Sequence, residues 1–185
     1  MHYIKRWFRS ANFPTTYLFV GICLVVFVLQ NIGIVDYQKY GLVPRLVKEG
    51  EVYRIFTSAF LHGSLTHIAG NLLSLINMGS VCEYRWSKKN YLIAILASIV
   101  GAGLSVTLLS NPSTVTIGFS GAVFGVFGYF SAMLYKEDGV LSYNEKTIIA
   151  RILIPNILIS LMPGVSWQGH FGGFIAGALV ALFLP

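Results

Sequence analysis

Six apolar stretches divide this chain, at about residues 17–32, 65–82, 91–109, 120–135, 147–162 and 169–184. Each is close to the ~20 residues that a helix needs to cross a hydrocarbon core about 30 Å thick. In lipid no water satisfies stray backbone groups, so such stretches must be helices or closed barrels. Of 185 residues, 55% are hydrophobic and only 11% are charged, against about 25% charged in ordinary soluble domains. That excludes a disordered chain and leaves too little charge for a water-facing surface. The expectation is one all-α, polytopic membrane domain over residues 1–185, with no room for a separate soluble domain.

The charges predict an orientation. With the N-terminus inside, cytoplasmic pieces hold Lys5, Arg6, Arg9, Arg85, Lys88, Lys89, Lys136, Lys146 and Arg151, nine of the 13 basic residues. The other four lie in residues 33–61, among three acids and five aromatic rings (Tyr37, Tyr40, Tyr53, Phe56, Phe60). That composition suits an amphipathic external loop at the membrane interface. Both termini are expected in the cytoplasm. The net charge of +6 is thus a topology signal, and nucleic-acid binding is set aside. The basic start followed by an apolar run resembles a secretory signal, but no small-x-small cleavage site follows it, so a retained first helix is expected. Cys23 and Cys82 form no CxxC and no disulfide framework, and read as small apolar packing residues.

Polar groups at membrane depth are costly and mark function. Here they are His62, His67 and Asn71, then Ser120, then His170. All fall at the outer ends of segments two, four and six, which run in one direction. Singly, Ser120 reads as a helix cap or packing residue, and His170 as a hydrogen-bonded interface residue. The glycines sharpen the pair. Gly121, Gly125, Gly128 and Ala132 line one face of segment four, and Gly169, Gly173 and Gly177 line one face of segment six. Small faces let helices cross backbone to backbone, which would bring Ser120 and His170 within hydrogen-bonding reach.

A serine hydroxyl needs an adjacent base to become a nucleophile. Glu83 lies at the far end of segment two, so His170 is the candidate base, in a dyad without a third carboxylate. Acyl transfer also needs donors for the oxyanion. His67 and Asn71 are four residues apart on one helical face and, with the Ser120 N–H, can supply them.

The order His62-x4-His67-x3-Asn71, Gly118-Phe119-Ser120-Gly121 and His170-x2-Gly173-x3-Gly177 resembles the rhomboid family of intramembrane serine proteases, in its bacterial-type six-helix form. The resemblance covers about residues 15–184. It implies Ser120 as nucleophile, His170 as general base, and His67 and Asn71 as oxyanion donors. It further implies a structural role for His62 near the mouth of the site, and a Glu83 that ties the bundle together. Tyr53-Arg54 stands in the place of a family Trp-Arg pair. Phe124 stands where Tyr is common, able to stack on His170 without the hydroxyl. Gly169 stands where Ala is frequent. No reacting group is lost, so activity is expected, without cofactor or metal. Single-span and other membrane proteins are the expected substrates, and a bacterial inner membrane the expected site.

Two other readings stay open on the residues alone. A small transporter could use intramembrane His and Asn, although no internal repeat is visible. A non-catalytic, client-binding protein could share the fold. A zinc protease fits poorly: there is no HExxH, and His62 and His67 have no acid ligand beside them. For the catalytic reading, segment five, with Pro155 and Asn156, is the expected lateral gate, and Pro163 to Gln168, with Trp167, the expected lid.

Overall fold

Proline and serine set where the long helices begin. The computed structural model describes residues 13–138 and 143–184. Pro14 opens α1, Pro14–Asn31, where its missing N–H costs nothing. Ser64 caps α2 by accepting from His67 N. Helix α2 runs as Leu65–Ser74, a π-helical turn at Leu75–Gly79, and Ser80–Arg85. Ser87 caps α3, Lys88–Leu109, and Ser166 caps α6, Trp167–Phe183. Between them lie α4, Ser120–Asp138, and α5, Tyr143–Ser160.

All six expected segments are helices, and the caps move their ends. Ser87 starts α3 three residues before the expected Tyr91. Ser166 pulls Trp167 and Gln168 out of the expected loop and into the first turn of α6. The expected charged loop, 136–146, shrinks because α4 continues to Asp138. The basic residues Lys5, Arg6 and Arg9 lie outside the described residues. By length and composition α1 and α3 are apolar enough to cross a membrane, and α6 is a shorter apolar helix. The fold is that of a helical membrane protein.

The first loop folds into short helical pieces, Tyr37–Tyr40, Pro44–Lys48 and Arg54–Thr57, ending in a 3-10 turn, Ser58–Phe60. Sequence reading expected an amphipathic loop there and did not place these helices, because no piece is long enough to show a period. Arg54 holds the loop together. Its side chain is buried, donates to Gly41 O (2.6 Å) and Gln38 O (3.0 Å), and pairs with Glu51 (2.7 Å). Hydrogen bonds from Tyr53, then from Arg54, hold the Glu51 carboxyl below its ordinary range. A two-residue antiparallel bridge, Leu42 to Thr116, ties this loop to the stretch before α4.

The end of the bundle opposite the start of α2 is fixed by polar side chains that hydrogen-bond to backbone and to one another. Glu83, 1% exposed, accepts from Thr15 N (2.8 Å) and Thr16 N (2.9 Å), two otherwise unpaired donors at the start of α1. Glu137 accepts from Arg85 (2.7 Å) and Trp86 Nε1 (2.8 Å), joining α4 to α2. Lys136 Nζ donates to Leu184 O at 2.6 Å, past the end of α6. The core between these ends is apolar, with Tyr91, Tyr129, Phe119 and Ile95 essentially inaccessible.

Helices α4 and α6 meet backbone to backbone. A β-carbon on Gly173 would overlap the Gly121 carbonyl oxygen, and one on Gly177 the Gly125 carbonyl oxygen. From the other side, a β-carbon on Gly128 would overlap the Phe174 carbonyl oxygen. The expected glycine faces therefore form the contact. Helix α3 joins them through Gly101, where a β-carbon would lie 2.8 Å from Gly172 O.

Candidate active site

Ser120 is the first residue of α4. It follows Gly118, whose φ of +125° is a left-handed conformation that side chains resist. Gly118 also leaves room: a β-carbon there would lie 2.7 Å from His67 Nε2 and 3.7 Å from Asn71 Nδ2. Its N–H is held by Ser58 O at 2.9 Å. The loop thus brings the start of α4 across the top of α2.

His170 lies in the first turn of α6, 6% exposed. Its Nε2 is 2.8 Å from Ser120 Oγ. Phe124, one turn below Ser120, lies flat on the imidazole, with centroids 4.2 Å apart and planes 6° apart. The expected pairing and the expected stacking are both present.

His67 and Asn71 do share a face of α2, yet they are held differently. The His67 ring abuts that of His62, centroids 5.1 Å apart. Asn71 is buried, with Nδ2 3.1 Å from His62 Nε2. His62 Nδ1 faces Phe60 O at 3.2 Å, and a carbonyl only accepts, so Nδ1 carries the proton. Nε2 is then the acceptor and orients the Asn71 amide. Burial first, and His67 second, push the His62 imidazole down to about 4, so the ring is neutral at pH 7.

Two residues that sequence reading passed over complete the site. Gln30, near the end of α1, grips the His62 backbone, accepting from its N–H at 3.0 Å and donating to its carbonyl at 3.4 Å. Ser160, the last residue of α5 and 7% exposed, places Oγ 2.5 Å from His170 Nδ1. Both are polar groups in apolar stretches, the same signal that singled out Ser120. Ser160 lies ten residues before His170, across one short loop.

A cavity of about 770 Å³ opens over the dyad. His67, Ser120 and His170 line it, as do Leu42 and Ile55 of the first loop. Val165 and Trp167 line it near the start of α6. Among the described residues no group of His, Cys, Asp and Glu could hold a metal ion. Both cysteines are free and buried, as packing residues would be.

The rhomboid domain model matches residues 49–185, which include every residue named in this site except Gln30 and Leu42. The chain belongs to the rhomboid family. It is 30% identical to RHOMBOID-like protein 5 of Arabidopsis thaliana over 80% of its own length and 49% of that protein. It is 29% identical to rhomboid protease GluP of Bacillus subtilis over 96% of its length and 36% of that protein. It is also 33% identical, over 71% of its length and 38% of that protein, to inactive RHOMBOID-like protein 8 of Arabidopsis thaliana. This rhomboid therefore spans between about a third and a half of the length of the relatives named here. As a member of the family it is an integral membrane protein.

Proposed function

We propose that this rhomboid is an intramembrane serine endopeptidase that cuts membrane-protein segments with a Ser120–His170 dyad. The observation that carries this reading is the 2.8 Å contact between His170 Nε2 and Ser120 Oγ, at the wall of a cavity of about 770 Å³. Ser120 Oγ attacks the scissile carbonyl carbon while its proton passes to His170 Nε2. The tetrahedral oxygen collects negative charge and is met by Asn71, His67 and the Ser120 N–H, which α4 leaves without an intrahelical partner. Collapse breaks the C–N bond, and His170 delivers the proton to the leaving amine. Water, deprotonated by His170, then releases the acyl group from Ser120.

We read all six long helices as spans, the 185 residues as one membrane domain, and both ends as cytoplasmic. The similarity to rhomboid protease GluP of Bacillus subtilis over 96% of the chain supports placing it in a bacterial inner (cell) membrane. A spanning substrate must come in sideways. Helix α5 is the candidate gate, since Pro155 interrupts its hydrogen bonding and glycines lock α4 only to α6 and α3.

The test is incubation of the purified chain in detergent with a panel of single-span proteins. Cleavage by the wild type, absent in Ser120→Ala and in His170→Ala, is the expected result. The inactive relative names the competing outcome. A folded wild-type chain that binds such proteins, cuts none and resists fluorophosphonate at Ser120 is a client-binding protein instead.

A further inference from the structure

The dyad has a third member in space, on the helix read as the gate. Ser160 Oγ lies 2.8 Å from Asn156 O, one turn back in α5, and 2.5 Å from His170 Nδ1. A hydroxyl has one proton. The Asn156 carbonyl can only accept, so that proton points along the helix, as serines in apolar helices commonly arrange. What Ser160 offers His170 is then a lone pair. Nδ1 must carry the imidazole proton, and Nε2 is left bare toward Ser120 Oγ. The bonds run head to tail, from Ser120 through His170 and Ser160 to the Asn156 carbonyl.

Resting on the protease reading above, we infer that Ser160 is a positioning residue that selects the base tautomer of His170 and makes that choice depend on where the end of α5 sits. In the other tautomer Nε2–H faces Ser120 and cannot take its proton. A serine cannot neutralise an imidazolium as an aspartate does, so its contribution is orientation. It also differs from a fixed carboxylate because it stands on α5. When α5 swings out to admit a helix, the Ser160–His170 bond breaks and the imidazole is free to turn. The base is restored when α5 returns behind the substrate, so the nucleophile is least active while the wall is open.

The test uses the full chain in detergent with a cleavable single-span substrate and, separately, a small fluorophosphonate. Three variants are compared: Ser160→Ala, Ser160→Thr and Ser160→Val, the last two alike in shape and different only in the hydroxyl. Ser160→Ala and Ser160→Val are expected to lose ~10- to 100-fold in kcat, at or below the ~10²-fold lower end of a general-base effect, since only the orientation of the base is lost. KM should stay within ~2-fold, and fluorophosphonate labelling of Ser120 should slow in parallel. Ser160→Thr should recover most of the loss. Unfolding midpoints within a few degrees of wild type exclude a folding defect, which would not separate Thr from Val. Equal kcat for Ser160→Thr and Ser160→Val, or a loss confined to KM, overturns the inference and leaves the dyad standing. A wild-type chain that neither cuts nor labels overturns the dyad and Ser160 together.

Discussion

The ring of Phe124 lies parallel to that of His170, 6° from coplanar at a 4.2 Å centroid distance. With Ser160 on Nδ1 and Ser120 on Nε2, the imidazole is held at both nitrogens and on one face. An aromatic face contributes ~0.5–1.5 kcal/mol beyond its area. Phe124→Leu keeps much of the volume and loses the face. Its kcat should fall by about 2- to 13-fold, the equivalent of that energy, with little change in the unfolding midpoint. Steady-state kinetics beside a thermal scan decide it; unchanged kcat removes Phe124 from the site.

Asn71 should behave as an oxyanion donor. Asn71→Ala is expected to lower turnover by on the order of 10²- to 10³-fold, as loss of one such donor does in soluble serine proteases. Labelling of Ser120 should slow without vanishing. Full turnover on several substrates would contradict the role.

The helix contact predicts an asymmetry among glycines. Gly173→Ala and Gly177→Ala each put a β-carbon onto a carbonyl oxygen of α4, where backbone must shift. Overpacking of this kind costs ~1–3 kcal/mol, and both variants should unfold earlier and lose activity. Gly21→Ala, with nothing within 4 Å, should be neutral or stabilising by up to ~1 kcal/mol. Unfolding scans of the three side by side are the check, and an equally tolerated Gly177→Ala would refute the close contact.

The His62 environment predicts acid sensitivity. Its folded pKa is depressed from 6.5 to about 4, so between those values the unfolded chain binds a proton that the folded chain refuses. Stability is therefore intact above about pH 6.5 and falls as pH drops toward 4. Protonation would also set a new N–H against the Asn71 amide. His62→Gln should flatten the decline of the unfolding midpoint across this range. An identical slope in wild type and variant would assign the acid sensitivity to other groups.

Gate and chemistry can be separated. A disulfide engineered between α5 and α2 should slow cleavage of a spanning substrate, and leave labelling by a small fluorophosphonate near the wild-type rate. Gly or Pro near the scissile bond should speed cleavage, since the substrate helix must unwind to reach Ser120. Full-rate cleavage by the oxidised enzyme would rule out lateral access past α5.

Much of this arrangement was legible because its signals lie within single helices. Hydropathy marks each long helix, and the spacing of Gly121, Gly125 and Gly128 marks a face whatever surrounds it. His67 and Asn71 share a face by helical geometry alone. What stayed hidden depends on paths between helices. Ser160 meets His170 only because the intervening loop brings the start of α6 beside the end of α5. Gln30 meets His62 across a sequence separation of 32. The helix ends moved because single serine caps outweigh hydropathy at a boundary. The π-helical turn in α2 has no marker in its apolar run.

The glycine contact reaches beyond packing. Where carbonyl oxygens occupy the space of β-carbons, no rotamer change can widen the gap between two helices. Bilayers of different thickness make helices tilt, and α4 and α6 can tilt only as a pair. The spacing of Ser120 and His170 is thereby insulated from the lipid around it. Thickness acts instead on α1 and α5, so on the protease reading a change of membrane is expected to alter entry past α5 and, through Ser160, the hold on His170 Nδ1, while the Ser120–His170 spacing stays fixed.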